Sequence, residues 1–473
     1  MLRMFSWKWA GFAALLLVIP FTIISCGGED SDTAGGGIGG TGIYTGVVSG
    51  FGSVFVNGIE FDTTGTLFTV DGNSNATEDD LAIGMKVELE AINGKAETVL
   101  FEPEVKGLIS DMSTAANNRF EVLGQTIIVN SATIFKGQGI NDLMDLLIDD
   151  YVRVSGLFDA DGNIVATFIE LEEQASQQTV KVKGTISAHN SVNMTFVINN
   201  LTVNYSGIPD PPAIDDGSFV EVKGNLVGSS LVATELELKN PGPPANPGQQ
   251  MEVEGIITLV TSSNDFEVNG QSVQTNSLTI FKNGTPADIA VNIRIDVEGT
   301  VDGNNILIAD EVEFRSLASR DTKIEGTVEN VDTLNSTVTV FGITVTVNNS
   351  TIFKDESRYE LRPFNLADVQ TDDFLEIKGL VDSSGAVIAI KLERKDDPGP
   401  AENSLKGPVD SEDDSNSSLE ILGVTVDVSG FPIPFEDANG TLFDIIEPGD
   451  IVEVKGYFDT STNVFIADKV EID

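Results

Sequence analysis

Among the 473 residues there is one cysteine, Cys26, and one histidine, His189. A lone thiol can form neither an internal disulfide nor a cysteine-rich metal site. The histidine stands in the polar stretch Ala188-His189-Asn190-Ser191, which reads as a solvated loop rather than as the home of a general base. Serines are many, yet none occupies a G-x-S-x-G elbow. No P-loop or GxGxxG run leads from a strand into a helix. Paired carboxylates could hydrolyse glycosides, but with 74 acidic residues some pairing is inevitable and carries no signal. The chain is therefore expected not to be an enzyme and to need no cofactor.

Basic residues are also scarce, 27 against those 74 acids, for a formal net charge of −47. Such a surface repels phosphate backbones, so nucleic acid is not an expected partner. Tryptophan is confined to Trp7 and Trp9 near the N-terminus, and only five tyrosines remain (Tyr44, Tyr151, Tyr205, Tyr359 and Tyr457). That inventory is thin for stacking sugars, and the phenylalanines sit at strand positions where they read as core. Disorder is excluded by apolar content, since 41% of residues are hydrophobic and mean hydropathy is +0.05.

The N-terminus has the form of an export signal. Arg3 and Lys8 give a positive start, and Ala10 to Ile24 form an apolar run too short to span a bilayer. It ends in Ile23-Ile24-Ser25-Cys26, which resembles the lipobox of bacterial lipoproteins. That resemblance implies cleavage of residues 1–25 and lipidation of Cys26. Gly27 follows the cysteine, which in that family's sorting pattern favours the outer membrane. Residues 26–42, rich in Gly, Ser and Asp, should form a flexible tether.

Beyond the tether the chain repeats. A run closing on glycine recurs as Val154-Ser155-Gly156, Val222-Lys223-Gly224, Val297-Glu298-Gly299, Ile377-Lys378-Gly379 and Val454-Lys455-Gly456, with a degenerate copy at Lys86 to Ala91. A start marker recurs at Gly46, Gly107, Gly184, Gly255, Gly326 and Gly407, about 60 to 80 residues apart, nearer a small domain than a solenoid turn. Six units follow: residues 43–103, 104–174, 180–240, 251–316, 322–394 and 404–473. Proline-rich linkers at 241–250 and 395–403 divide the array, predicting a rod of separate beads.

Each unit holds five runs of alternating polarity rich in β-branched residues. In repeat 2 these are Val105 to Ser110, Phe120 to Gly124, Thr126 to Val129, Tyr151 to Gly156 and Ile164 to Leu171. A glycine between the second and third runs (Gly58, Gly124, Gly270, Gly342, Gly423; Asn200 in repeat 3) predicts a tight hairpin needing positive φ. Between runs three and four, Ile140, Leu143, Met144 and Leu147 lie at i, i+3, i+4, i+7, predicting a short amphipathic helix. Shorter versions lie at Thr77 to Ile83 and Leu366 to Val369. Three strands, a short helix and two strands is the order of the OB-fold. The expected class is all-β, a tandem array of about six small five-stranded OB-like barrels, each with at most one short helix.

The Gly-rich lead-in Gly37 to Ile43 and the repeated V-x-V-x-G and V-A-x-x-I-E patterns resemble bacterial lipoproteins built from the domain-of-unknown-function family numbered 5666. The resemblance implies tandem β domains and no particular substrate.

Two candidate sites stand out. Asp159, Asp161 and Asn163, in the turn Asp159-Ala160-Asp161-Gly162-Asn163, offer hard oxygen ligands for calcium; an ion-free hairpin turn is the alternative. Arg358, Tyr359, Arg362 and Phe364 form the one locally basic, aromatic spot, a candidate partner patch or a loop whose arginines pair with Asp355 and Glu356. The expected protein is exported, membrane-bound through its lipid, and displays its barrels as a spacer or interaction module toward an envelope protein or polysaccharide. A ligand-binding module for surface polysaccharide or divalent cations is the alternative.

Overall fold

The computed structural model describes residues 40–172, 179–240, 242–315, 320–348, 351–381, 385–399, 402–413, 415–429 and 446–472. The expected signal peptide at 1–25, Cys26 and most of the expected tether lie outside the described residues.

Repeat 2 shows the plan. Its strands are Val105–Asp111, Arg119–Val122, Gln125–Ile128, Tyr151–Phe158 and Ile164–Leu171. They hydrogen-bond in the order one, two, three, five, four and back to one, with three and five parallel. That is the Greek-key order of the OB barrel. Repeats 4, 5 and 6 close in the same order. In repeat 3 the first strand is split into Val180–Thr185 and Ser187–Asn190. In repeat 1 the third strand, Ile59–Phe61, runs on to a single parallel bridge between Asp62 and Lys95. Inward-facing Val, Ile, Leu and Phe fill each barrel because alternation puts every second residue on one face.

Two glycine positions are fixed by close approach. The marker glycine of the first strand lies under the hairpin tip: a Cβ on Gly326 would sit 2.2 Å from the Phe341 ring, and one on Gly107 2.6 Å from Leu123. Phe341 and Leu123 hold φ of 55° and 51° ahead of Gly342 and Gly124, so both central turn residues are left-handed. The glycine closing each V-x-G run is expected to end its strand but sits at a bulge in mid-strand. Register shifts fall at Ser155/Gly156, Lys223/Gly224, Glu298/Gly299, Lys378/Gly379 and Lys455/Gly456. A Cβ on Gly299 would lie 2.0 Å from the Ile308 carbonyl oxygen. In repeat 1, Ala91 occupies the bulge.

The predicted helices shrink to single 3₁₀ turns. Of the segment predicted in repeat 2 only Leu143–Asp145 is helical. Asp142 accepts from the Met144 N–H at 2.7 Å, and the Asp145 carboxylate reaches back to the Asn141 N–H at 2.8 Å. Ile140, Leu143 and Leu146 are buried while Met144 and Leu147 are 71% and 66% exposed. The operative spacing is three residues, that of a 3₁₀ turn. The turn at Leu366–Asp368 repeats both bonds, and that at Glu78–Asp80 repeats the carboxylate reaching back, Asp80 accepting from the Thr77 N–H.

The rod of beads is also corrected. First strands of different repeats hydrogen-bond to one another, fusing the barrels in pairs. Lys106 and Val105 pair antiparallel with Lys181 and Val182, joining repeats 2 and 3. Lys323 to Glu325 pair antiparallel with Lys406 to Ser404, joining 5 and 6. Ile43 to Thr45 pair parallel with Met251 to Val253, joining 1 and 4 across some two hundred residues of chain. Repeats 2 and 3 share one continuous apolar core, as do 5 and 6. Repeat 1 is a hub, for its core also takes in Ile134 and Phe168 of repeat 2 and Ile352 of repeat 5.

Candidate functional site

Fusing sheets by their first strands lines up charges across the seams. At the 5–6 seam Lys391, Lys378, Lys323 and Lys406 stand opposite one another on successive strands. Two residues along runs a carboxylate row of Glu393, Glu376 and Glu325. Like charges facing across strands repel, and the adjacent row compensates: Lys323 Nζ lies 2.9 Å from Glu325 and Lys378 Nζ 3.5 Å from Glu376. Burial raises the Glu376 carboxyl, but Lys378, Lys395 and Lys391 outweigh it and hold the pKa at about 2.

The 1–4 seam lacks that balance. Glu252, Glu298 and Glu311 form one row, and Glu254, Asp296 and Glu313 the next. Arg294 donates to Glu254 at 2.6 Å, Arg315 to Asp296 at 2.8 Å, and Lys282 lies 2.7 Å from Glu311. Three cations face six carboxylates. Burial, with Glu311 and Asp296 nearby, lifts Glu298 to about 7. Burial likewise raises Glu252 well above the usual range, helped by Asp296, although Asn57 donates to it at 3.1 Å.

Repeats 1 to 4 meet around a cleft of about 750 Å³, within the size range of small-ligand sites. Repeat 1 and its exit supply Lys86, Glu88, Glu102 and Glu104; repeat 2 Phe158 and the Asp159 turn; repeat 3 Lys183, Phe219 and Lys239; repeat 4 Thr258 and Glu267. The proline linker packs here through Pro243 and Pro244 instead of standing free. Phe158 and Phe219 meet edge to face at 5.5 Å.

The lysines are held by carboxylates of the cleft itself. Lys86 Nζ is 2.7 Å from the fully buried Glu104, whose other oxygen accepts from the Gly156 N–H at 2.9 Å. Lys183 Nζ donates to the Glu102 carbonyl at 3.0 Å, and Lys239 Nζ to the Glu102 carboxylate at 3.5 Å. Burial alone would raise Glu102, but Lys183, Lys181 and Lys239 bring it below its ordinary value. Burial lowers the Lys183 ammonium despite Glu104 and Glu102. Glu88 and Glu267 are instead pushed up, mainly by burial. The Thr258 hydroxyl is buried with no hydrogen-bond partner among the described residues. What the cleft offers a ligand is therefore carboxyl and ring surface, suited to hydroxyl-rich or ammonium groups rather than to anions.

The turn singled out for calcium lies at the cleft mouth. Asp159 accepts from the N–H groups of Asp161 and Asn163 at 3.0 and 2.8 Å and from the Asn163 side chain at 2.8 Å. Its carboxylate closes its own hairpin, as Asp302 does in repeat 4. The Ala160 N–H donates to Asn292 of repeat 4 at 2.9 Å, so the turn joins two barrels.

The basic loop of repeat 5 is dispersed by the fold. Phe364 is buried against Phe353, and Arg394 lies 4.6 Å over its ring. Arg358 pairs with Asp396 at 2.9 Å, whereas Asp355 is taken by Arg394. Arg362 lies 6.0 Å over the Phe51 ring of repeat 1. Arg358, Tyr359 and Arg362 stay exposed, Tyr359 at 68%, and Phe364 is the one of the four that is buried. Part of this loop thus docks within the molecule. His189 also departs from its expected solvation: its ring is half-buried, and Nε2 lies 2.7 Å from the Tyr205 hydroxyl.

Sequence reasoning missed the cleft because its walls come from four repeats whose pairing no spacing reveals. The available signal was the concentration of scarce lysines in the first-strand segment Lys181-Val182-Lys183.

The family model described as Domain of unknown function (DUF5666) matches residues 106–170, 183–237, 254–313, 325–393 and 406–471. Repeat 1, whose signature is degenerate, falls outside these matches. A search of curated proteins returned no match to the chain. With five tandem copies covering most of its length and each corresponding to one barrel, the chain belongs to the DUF5666 family.

Proposed function

We propose that this protein is a non-enzymatic, lipid-anchored envelope module that binds a ligand in the cleft shared by repeats 1 to 4. The anchor rests on the leader and on Cys26. The binding role rests on one observation: four barrels jointly line a cleft of about 750 Å³ with Phe158, Phe219, Glu88 and Glu267 among its walls. A hydroxyl-rich polysaccharide segment fits this lining. The carboxyls accept its hydroxyls and the rings cover its apolar faces. A spacer would need only length, and three fused pairs shorten the chain.

The test is thermal melting of purified residues 27–473 against a glycan panel, then against calcium and chelator. A ligand that binds only the folded state raises the midpoint with its saturation. A glycan-dependent rise that Glu88→Gln with Glu267→Gln removes is the expected result. No shift with any glycan would overturn the polysaccharide reading, and a rise with calcium alone would favour a cation binder. Separately, Cys26→Ala should free the protein from the outer-membrane fraction; retention there would refute the anchor.

A further inference from the structure

A second repeated element covers part of each barrel. Repeat 2 carries Thr133-Ile134-Phe135-Lys136, repeat 4 Thr279-Ile280-Phe281-Lys282 and repeat 5 Thr351-Ile352-Phe353-Lys354; repeat 1 has Thr66-Leu67-Phe68. The threonine hydroxyl donates to an alanine carbonyl of the fifth strand in all four: Thr133 to Ala166, Thr279 to Ala309, Thr351 to Ala389 and Thr66 to Ala96, at 2.7–2.8 Å. The next residues form a short strand parallel to the fifth. The geometry is the same, so the aliphatic residue after the threonine points outward from each barrel.

Its fate differs. Ile134 and Ile352 are 4% and 7% exposed because both insert into the core of repeat 1. Ile280 is 58% exposed and Leu278, in the turn two residues earlier, is 85% exposed. Leu67 is 72% exposed. Side chains that two repeats bury against a barrel of their own kind stand in water on two others.

The receiving side is also recognisable. Ile134 packs over Gly84, where a Cβ would lie 2.9 Å from its side chain. Gly84 belongs to the turn before the fourth strand, where it donates to the Val48 carbonyl at 2.9 Å. The same bond is made by Gly217 to Ile186 in repeat 3 and by Gly449 to Val409 in repeat 6. Repeats 2, 4 and 5 place Asp149, Asn292 and Asp372 there. A Cβ on Gly217 or Gly449 would meet nothing within 4 Å among the described residues. One molecule therefore carries both halves of the contact, each open.

We infer that the Leu278–Ile280 edge of repeat 4 is a self-association surface whose occupant is a barrel of a second copy of this chain, received at the Gly449 turn, since Gly217 lines the cleft. A reciprocal pair of such contacts closes as a two-fold dimer, in which no edge is left over. Membrane tethering would favour it by confining both copies to one surface.

The experiment is sedimentation velocity on residues 27–473 across a hundredfold concentration range, for the parent and for Leu278→Asp with Ile280→Asp. Both positions are exposed, so the variant should keep its melting curve, which is measured alongside. The parent is expected to show a concentration-dependent dimer, and the variant to stay monomeric throughout. A Tyr359→Asp variant, altering an exposed aromatic elsewhere, should dimerise like the parent. A parent that is monomeric at every concentration, or a folded variant that dimerises as the parent does, would overturn the inference.

Discussion

The carboxylate excess at the 1–4 seam gives a quantitative test in Glu298→Gln. Glu298 stands between Glu252 and Glu311 on neighbouring strands, and its pKa is raised to about 7 by burial and, after it, by Glu311 and Asp296. In the unfolded chain it titrates near the ordinary glutamate value. Below that value the group is neutral in both states and costs nothing. As pH rises toward 7 the unfolded form ionises first, so the folded form, which holds its proton, loses stability. A fully buried group with this displacement would cost about 3 kcal/mol above pH 7. Glu298 is only half-buried, so screening reduces this to about 1–2 kcal/mol. Glutamine keeps the shape and removes the charge. Glu298→Gln should therefore match the parent at pH 4.5 and exceed it by about 1–2 kcal/mol at pH 8, a rise of roughly 3–6 °C for a cooperative unit of two barrels. Circular dichroism melts at both pH values read the difference between variant and parent, which cancels the titration of every other group. A variant no more stable at pH 8, or equally stabilised at pH 4.5, would refute the reasoning.

Lys86→Met leaves fully buried Glu104 without its ammonium at 2.7 Å and should destabilise by about 3–5 kcal/mol; adding Glu104→Gln should recover much of this, and a double-mutant cycle in urea measures the coupling. Phe341→Gly relieves a left-handed phenylalanine, worth about 1–2 kcal/mol, but loses ring contacts at 5.0 and 5.5 Å to Phe458 and Phe465, worth about 3–5 kcal/mol. The balance is destabilisation by about 2–3 kcal/mol, read as a lower midpoint of the repeat 5–6 transition in calorimetry.

Strands were legible wherever alternation was strong: Ile164–Leu171 and Val464–Ile472 begin and end where the sequence pattern does. The glycines were legible as landmarks but not as mechanisms. A V-x-G run looks like a strand closing on a turn, and only the partner strand shows that Gly156 and its equivalents are bulges. The helix failed for a different reason: Ile140, Leu143, Met144 and Leu147 satisfy the α-helical period, yet Leu146 completes a spacing of three that the capping carboxylates Asp142 and Asp145 select. The cleft and the seams were invisible because long-range pairing is not a local property. Nothing in Ile43-Tyr44-Thr45 announces that its neighbour is Met251-Glu252-Val253. The T-I-F-K copies were in plain view, but their meaning rests on which isoleucine is covered.

Pairing of first strands follows from the barrel itself. The N-terminal half of the first strand bonds the fourth strand on one side, as Val105 and Lys106 bond Val154 and Arg153. The second strand engages only the C-terminal half, at Ile109 and Asp111. An open edge remains beside Val105 and Lys106, and an unpaired edge recruits another strand. The equivalent half-strand of another repeat has the same length and alternation, and fills it. Six barrels form three pairs with none left over, so deletions should differ in kind. Removing residues 404–473 strips repeat 6 from repeat 5, exposing the Lys323–Glu325 edge and a core built from both barrels; this protein should aggregate. Removing residues 320–473 takes away a whole pair and uncovers the sites on repeat 1 occupied by Ile352, Arg362 and Pro363; this shorter protein should stay soluble and melt cooperatively. Light scattering and calorimetry on the two truncations decide the matter, and a soluble, cooperatively melting 1–403 chain would show that the barrels are independent after all.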